Sequence, residues 1–144
     1  MSERNQNLRM LKVQRSETHK VKAPAGMVAE DWGRFIELPY FVNKWQHLGL
    51  DDEDLRALQV LLTVQPRLGA VMEGTGGLRK LRFARSAGGQ GKSGSFRIGY
   101  VYFEDFHVIG LLAVYAKKDQ GNLSQAEKNT IRKLIERLRE LLEK

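Results

Sequence analysis

The sequence predicts an α+β domain in which an antiparallel meander of strands packs against helices, in the order β-α-α-β-β-β-α. Two stretches with apolar residues at helical spacing lie in the first half of the chain. Three strand-like stretches, rich in aromatic and β-branched residues, follow them, and one more helical stretch closes the chain. Helices and strands that occur in separate runs favour α+β over the alternating order of α/β proteins.

The first three elements are predicted between residues 35 and 66. Residues 35–38 are typical of a short strand, and Pro39 directly after them suits the first turn of a helix. Asp51 or Asp52 can cap a second helix. Pro66 marks the end of that helix.

Three strands and a helix are predicted after a glycine-rich approach. The strands cover residues 78–84, 95–103 and 107–115, and the first two are joined by a loop. Ser124-Gln125-Ala126-Glu127 is a capping box, which predicts the start of the last helix.

Residues 1–33 differ from the rest because they are polar and show no sustained period, which predicts a poorly ordered N-terminal arm. Met27 is a candidate start site, in which case the first 26 residues are an annotation artefact. Residues 34–144 then form the domain.

The composition narrows the class of protein. The 144 residues suit one domain, cysteine is absent, and no apolar run approaches the roughly 20 residues of a membrane helix. With no secretory h-region at the N-terminus, we expect a cytoplasmic protein without disulfides.

The positive charge is concentrated on one segment. The net charge is +7, and the stretch from residue 78 to 97 carries six cations and no acid. These cations are Arg79, Lys80, Arg82, Arg85, Lys92 and Arg97. Such a segment predicts a polyanionic partner such as nucleic acid.

Alternation along the first strand of the meander assigns two of these cations to one face. Lys80 and Arg82 alternate with Leu81 and Phe83, so the cations share the face opposite the core. Arg97 on the next strand can join them across the sheet. A solvated sheet face is the plain alternative, although ordinary surfaces mix the two signs of charge.

Aromatic residues accompany this charge. Tyr100, Tyr102 and Tyr115 are candidates for stacking on unpaired bases, with a place in the core as the alternative. Lys117 and Lys118 end the last strand of the meander.

The sequence excludes a P-loop and a histidine metal site. Residues 86–93 approach the P-loop pattern, but Ser86 replaces its first glycine and the loop leads into a strand rather than a helix. We predict a flexible basic hairpin loop there. The three histidines, His19, His47 and His107, have no metal-ligand spacing, so no metal site is predicted.

Four linked blocks resemble the HigB branch of the RelE superfamily. They are residues 74–82, the Gly- and Lys-rich loop after them, residues 96–100, and residues 114–124. Pro66-Arg67-Leu68-Gly69 also fits, and the resemblance extends roughly from residue 34 to 142. It departs from the classical RelE pattern at Ser124, where a tyrosine is usual.

The resemblance implies the toxin of a type II toxin–antitoxin pair. Such a toxin binds the ribosomal A site and cleaves messenger RNA by attack of a ribose 2′-OH on the adjacent phosphate, without metal or cofactor. The implied partners are mRNA, the ribosome and a cognate antitoxin of the helix-turn-helix kind.

The resemblance also implies roles for individual residues. Lys80 is the candidate proton acceptor, because arginine stays charged. Arg82 and Arg97 are candidate ligands of the phosphate and the transition state, and Lys118 supports the leaving-group side. Further candidates for RNA binding are Arg79, Arg85, Lys92, Tyr100, Tyr115 and Lys117.

Two other functions stay open at this point. ParE-type proteins are expected to share the fold and poison DNA gyrase by binding it, which would make the sheet cations dispensable. A non-catalytic module that binds RNA or the ribosome is the third interpretation.

Overall fold

The computed structural model describes residues 14–15, 34–85, 95–119 and 121–144. In this part of the chain the strands are β1 (Gln14–Arg15), β2 (Arg34–Glu37), β3 (Ala70–Val71), β4 (Arg79–Ala84), β5 (Ser95–Phe103) and β6 (Val108–Ala116). The helices are α1 (Pro39–His47), α2 (Asp52–Val64) and α3 (Gln125–Leu142), and short 3₁₀ helices cover Glu104–Phe106 and Lys117–Asp119. The α+β class and the order of the predicted elements are confirmed. The two-residue strands β1 and β3 were not predicted.

The strands form one sheet in the order β1-β2-β6-β5-β4-β3. The meander β4-β5-β6 is antiparallel, as predicted. The expectation that the whole sheet is antiparallel is wrong, because β2 runs parallel to β6, with Arg34 opposite Val108 and Glu37 opposite Leu111. Parallel neighbours need a long connection, and here α1, α2 and the strands β3 to β5 lie between the two strands in the chain.

The helices begin where local chemistry provides for their free N–H groups. Pro39 occupies the first turn of α1, where a missing N–H costs nothing. Asp51 caps α2 by accepting a hydrogen bond from the backbone N–H of Asp54 at 2.8 Å. Ser124 and Glu127 form the predicted reciprocal capping box of α3.

The core lies on both faces of the sheet. On one face α1 and α2 bury a cluster that includes Trp45, Leu58, Leu81, Ile98 and Leu111. On the other face α3 buries a smaller cluster, with Leu78, Val101, Phe103, Leu112, Ile135 and Leu138 among its members. The residues of β5 and β6 in this second cluster come from the adjoining ends of those two strands. On the same face Gly99 and Ala113, elsewhere on these strands, line a groove, and the candidate site lies there.

The glycine-rich block ahead of β4 is a turn that packs beneath α3. Gly74, Gly76 and Gly77 have φ values of 81°, 77° and 117°, which favour glycine. A Cβ at Gly76 would come within 3.0 Å of Cγ of Arg132 on α3. Between them Thr75 is buried, and its hydroxyl donates to the carbonyl of Met72 at 2.6 Å and accepts from the N–H of Leu78 at 3.0 Å. The block therefore has a structural role.

Two predictions concern residues for which the structure gives no description. Apart from β1, which pairs antiparallel with β2, the predicted N-terminal arm lies outside the described residues. The predicted loop at residues 86–94, with Lys92, also lies outside them.

Candidate functional site

The register of the meander brings the predicted sheet cations together. Arg82 on β4 is directly opposite Arg97 on β5, and Arg97 is directly opposite Tyr115 on β6. Lys80 lies two residues before Arg82 on the same face, and its Nζ is 5.7 Å from the centroid of the Tyr115 ring. We call these four residues the basic sheet face.

The arrangement of these charges is unfavourable for folding. Cβ atoms of residues directly opposite on antiparallel strands are about 4.5–5.5 Å apart, and like charges at this spacing are destabilising. Arg82 and Arg97 form such a pair. Local violations of this kind are expected where a surface serves binding or catalysis.

The cations of the basic sheet face have no acidic partner among the residues that the structure describes. Among residues 34–85, 95–119 and 121–144, no ion pair involves Lys80, Arg82 or Arg97, whereas four other arginines pair with carboxylates. Within the described part of the chain, the hydrogen bonds of the Arg97 side chain are long, from Nη1 to Ser95 Oγ at 3.4 Å and to the Phe96 carbonyl at 3.5 Å. Guanidinium groups in this state can take an anion such as a phosphate.

A groove adjoins the basic sheet face on the side of α3. Its volume is about 430 Å³, and Lys80 and Tyr115 belong to its lining. Gly99 and Ala113 contribute only small groups to the floor, so the sheet leaves space there. The walls come from α1, the segment ahead of α3 and α3 itself, through Tyr40, Lys44, Asn122, Leu123, Glu127 and Ile131.

A β-bulge shapes the floor of the groove. Gly99 is opposite Ala113, but its neighbour Tyr100 is opposite Leu111, so Leu112 is an extra residue on β6. Leu112 packs in the cluster beneath α3. Ala113, the next residue on β6, lines the groove. The bulge therefore lies at the border between the part of the sheet face that α3 covers and the part that lines the groove.

The two lysines predicted at the end of the last strand lie at one end of this surface. Lys117 and Lys118 are exposed on the 3₁₀ helix that follows β6. Ala116, just before them, is opposite Phe96, the residue preceding Arg97. The lysines therefore lie at the end of the sheet where β5 begins, which is also the end that carries Arg97.

Tyr100 is the clearest correction among the predicted RNA-binding residues. Its side chain is 0% exposed, and its hydroxyl donates to the carbonyl of Pro66 at 2.9 Å and accepts from the N–H of Gly69 at 2.8 Å. A base cannot stack on a ring without an exposed face. The predicted stacking is therefore wrong for this tyrosine, which holds the segment before β3 against the sheet.

Arg79 and Arg85 are on the opposite side of the sheet from the basic sheet face. Arg85 forms an ion pair with the buried carboxylate of Asp54 at 3.0 Å, at the start of α2. Arg79 donates from Nη1 to the carbonyl of Gly69 at 2.7 Å and to that of Arg67 at 3.1 Å. Both predicted RNA contacts thus fall on arginines that already have protein partners away from the groove.

Sequence reasoning missed Tyr40, Lys44 and Glu127 as possible site residues. Tyr40 and Lys44 are four positions apart on α1 and thus share a helical face. Glu127 was recognised only as a member of a capping box. Nothing in the local pattern relates α1 to the start of α3, so the groove could not be anticipated.

Within the described ranges, no three or more His, Cys, Asp or Glu residues are grouped to hold a metal ion. No helix in the same part of the chain is long and apolar enough to cross a membrane. No family model matches the chain.

Proposed function

We propose that this protein is the toxin of a type II toxin–antitoxin pair and that it cleaves messenger RNA in the ribosomal A site. The observation that carries the proposal is the basic sheet face, where Lys80, Arg82 and Arg97 project from rigid strands beside an open groove. Groups on strands are held more precisely than groups on loops, as catalysis requires.

The reaction is an internal transfer at phosphorus. The 2′ oxygen of a ribose forms a bond to the adjacent phosphorus, the bond from phosphorus to the 5′ oxygen breaks, and the products carry a 2′,3′-cyclic phosphate and a 5′-hydroxyl. The pentacoordinate transition state bears extra negative charge, so cations fixed around it lower the barrier.

Each member of the site has a role in that reaction. Arg82 and Arg97 bind the oxygens of the reacting phosphate, which their facing positions allow them to approach together. Lys80 accepts the proton of the 2′-OH, since an amine can release its proton and a guanidinium cannot. Lys118 lies on the leaving-group side, where the departing 5′ oxygen takes a proton from its ammonium or from water.

Two further findings support this proposal over the other candidates. The resemblance to the HigB branch places basic residues at Lys80, Arg82, Arg97 and Lys118, and the first three share one surface. A protein that only poisons gyrase has no need for facing arginines without acidic partners. Their unfavourable pairing is accounted for if a phosphate neutralises it.

The test is induced expression of the full chain followed by mapping of mRNA 5′ ends in cells. We expect cuts within translated codons, reduced about 100-fold or more in Lys80→Ala and Arg97→Ala. Arg56→Ala is the matched control, because this arginine is exposed on α2, across the sheet from the site. It should cut like the unaltered protein at equal abundance.

Other outcomes would overturn the proposal. Growth arrest with intact mRNA and an induced DNA-damage response would indicate gyrase poisoning. Ribosome association without cuts, unchanged in Lys80→Ala, would indicate a binding module.

A further inference from the structure

The groove beside the basic sheet face is lined in part by side chains that have no role in binding the phosphate. Tyr40 is 50% exposed on its α1 wall, and Glu127 presents a carboxylate from α3. A second cavity of about 400 Å³ shares Tyr40, Leu78 and Glu127 with it. These volumes are within the range of sites for small organic groups.

We propose that this groove binds one unpaired guanine base of the RNA whose phosphate lies on the basic sheet face. This inference rests on the proposed function and adds the base that the site selects. Lys80 and Tyr115 belong both to the groove and to the basic sheet face, so a base and its own backbone can occupy the two regions at once.

The apolar part of the groove suits the faces of a base. Tyr40 offers a half-exposed ring, and Leu78 and Ile131 line the same space from the sheet and from α3. Stacking of a base on an aromatic ring strengthens binding about tenfold or more and works for every base. These contacts therefore provide affinity without choosing between bases.

The polar side chains of the groove distinguish one base from another. Glu127 is a pure acceptor, whereas Lys44 is a pure donor, and they enter the groove from α3 and α1. Guanine matches this set, because N1–H and N2–H donate while O6 and N7 accept. Adenine, which presents an acceptor at N1 in place of the N1–H donor, does not match it.

The capping box fixes the carboxylate in place. The backbone N–H of Ser124 donates to Glu127 Oε1 at 2.9 Å, and the N–H of Glu127 donates to Ser124 Oγ at 3.1 Å. The backbone hydrogen bond from Ser124 also holds the pKa of Glu127 below its ordinary value of 4.5. The side chain is thus an ionised acceptor at neutral pH.

The decisive variant is Glu127→Gln. Glutamine still completes a capping box, so α3 keeps its start, but one acceptor oxygen becomes an NH₂ donor facing the donors of guanine. From mapped mRNA ends we expect guanine enriched at one fixed position beside the cuts. This preference should fall about tenfold in Glu127→Gln, because cutting slows at the sites with guanine. Glu136→Gln, an exposed position farther along α3, should keep the preference.

Tyr40 gives a second, independent pair of variants. Tyr40→Ala removes the stacking ring and should reduce cutting at all sites about tenfold or more, whereas Tyr40→Phe keeps the ring and should recover most of that loss. Each variant is compared at equal protein abundance.

Distinct results separate this inference from the proposed function. Cuts that depend on Lys80 but show no guanine preference, or a preference unchanged in Glu127→Gln, would overturn the base assignment and leave the nuclease intact. An absence of cuts from the unaltered protein would overturn both.

Discussion

Replacement of Tyr100 by phenylalanine tests whether this residue serves the fold or the RNA. The substitution removes one oxygen and leaves the buried ring in place. That oxygen joins the N–H of Gly69 and the carbonyl of Pro66 to the centre of the sheet. The segment is tightly packed here, since a Cβ at Gly69 would lie 2.8 Å from Cε1 of the Tyr100 ring.

The expected loss of stability comes from the two backbone groups that lose their hydrogen bond to the Tyr100 hydroxyl. Gly69 is buried, and a buried donor left without a partner costs about 1–3 kcal/mol. The free energy of unfolding of Tyr100→Phe should therefore fall by about 2 kcal/mol. Tyr115→Phe, in which the hydroxyl has no hydrogen bond among the described residues, should change it by less than about 0.5 kcal/mol.

The difference between Tyr100→Phe and the unaltered protein should also depend on pH. Burial raises the pKa of the Tyr100 phenol above its ordinary value of 10.0, against the opposing effects of the Gly69 hydrogen bond and the Arg79 charge. The unfolded chain thus ionises at lower pH than the folded protein. The stability that the hydroxyl contributes is complete below pH 10 and is lost as the pH rises through the folded pKa.

Denaturant unfolding of the two variants and the unaltered protein, repeated from pH 7 to 11, measures both effects. mRNA cutting is measured in parallel at equal abundance of folded protein. An unchanged unfolding free energy together with lost cutting would refute the reasoning and return Tyr100 to the RNA-binding surface.

Two other substitutions address features away from the groove. Arg85→Ala removes the cationic partner of Asp54, whose side chain is 1% exposed. The free energy of unfolding measured by chemical denaturation should fall by about 1–3 kcal/mol. This is less than the loss of a fully buried pair, because Arg85 is 36% exposed. Cutting should persist, and its selective loss would indicate that Arg85 contacts RNA after all. Gly76→Ala and Gly49→Ala impose similar strain, at φ values of 77° and 79°, but only Gly76 faces α3, at Arg132. Gly76→Ala should therefore lower the free energy of unfolding by about 1 kcal/mol more than Gly49→Ala does. Equal losses in the two variants would show that the contact with α3 is unimportant.

Local patterns in the sequence were sufficient to predict the helices, the longer strands and the residues on one face of the sheet. The alternation of Lys80 and Arg82 with Leu81 and Phe83 placed the two cations opposite the apolar side chains, and the structure has them opposite the cluster that α1 and α2 bury. The same period contained a signal that was not used. Tyr100 has the parity of Phe96 and Ile98, which are buried against α1 and α2, and this predicts burial rather than stacking.

Long-range relations could not be predicted, because no local period records them. Nothing in the composition of β2 indicates that its partner is β6, running parallel to it. The groove likewise depends on how α1 and α3 approach the sheet from different parts of the chain. For this reason Tyr40, Lys44 and Glu127 became visible as site residues only in the folded protein.

The position of β6 in the sheet has a consequence for synthesis. This strand is among the last parts of the domain to be made, yet it lies between β2 and β5 and pairs with both. The meander can form from contacts close in sequence, whereas β2 must wait for β6, and their pairing closes a long loop. Until that strand emerges from the ribosome, Arg97 lacks its neighbour Tyr115 and α3 has no surface on which to dock. In a growing chain of the proposed toxin, the basic sheet face therefore cannot form until β6 has left the ribosome.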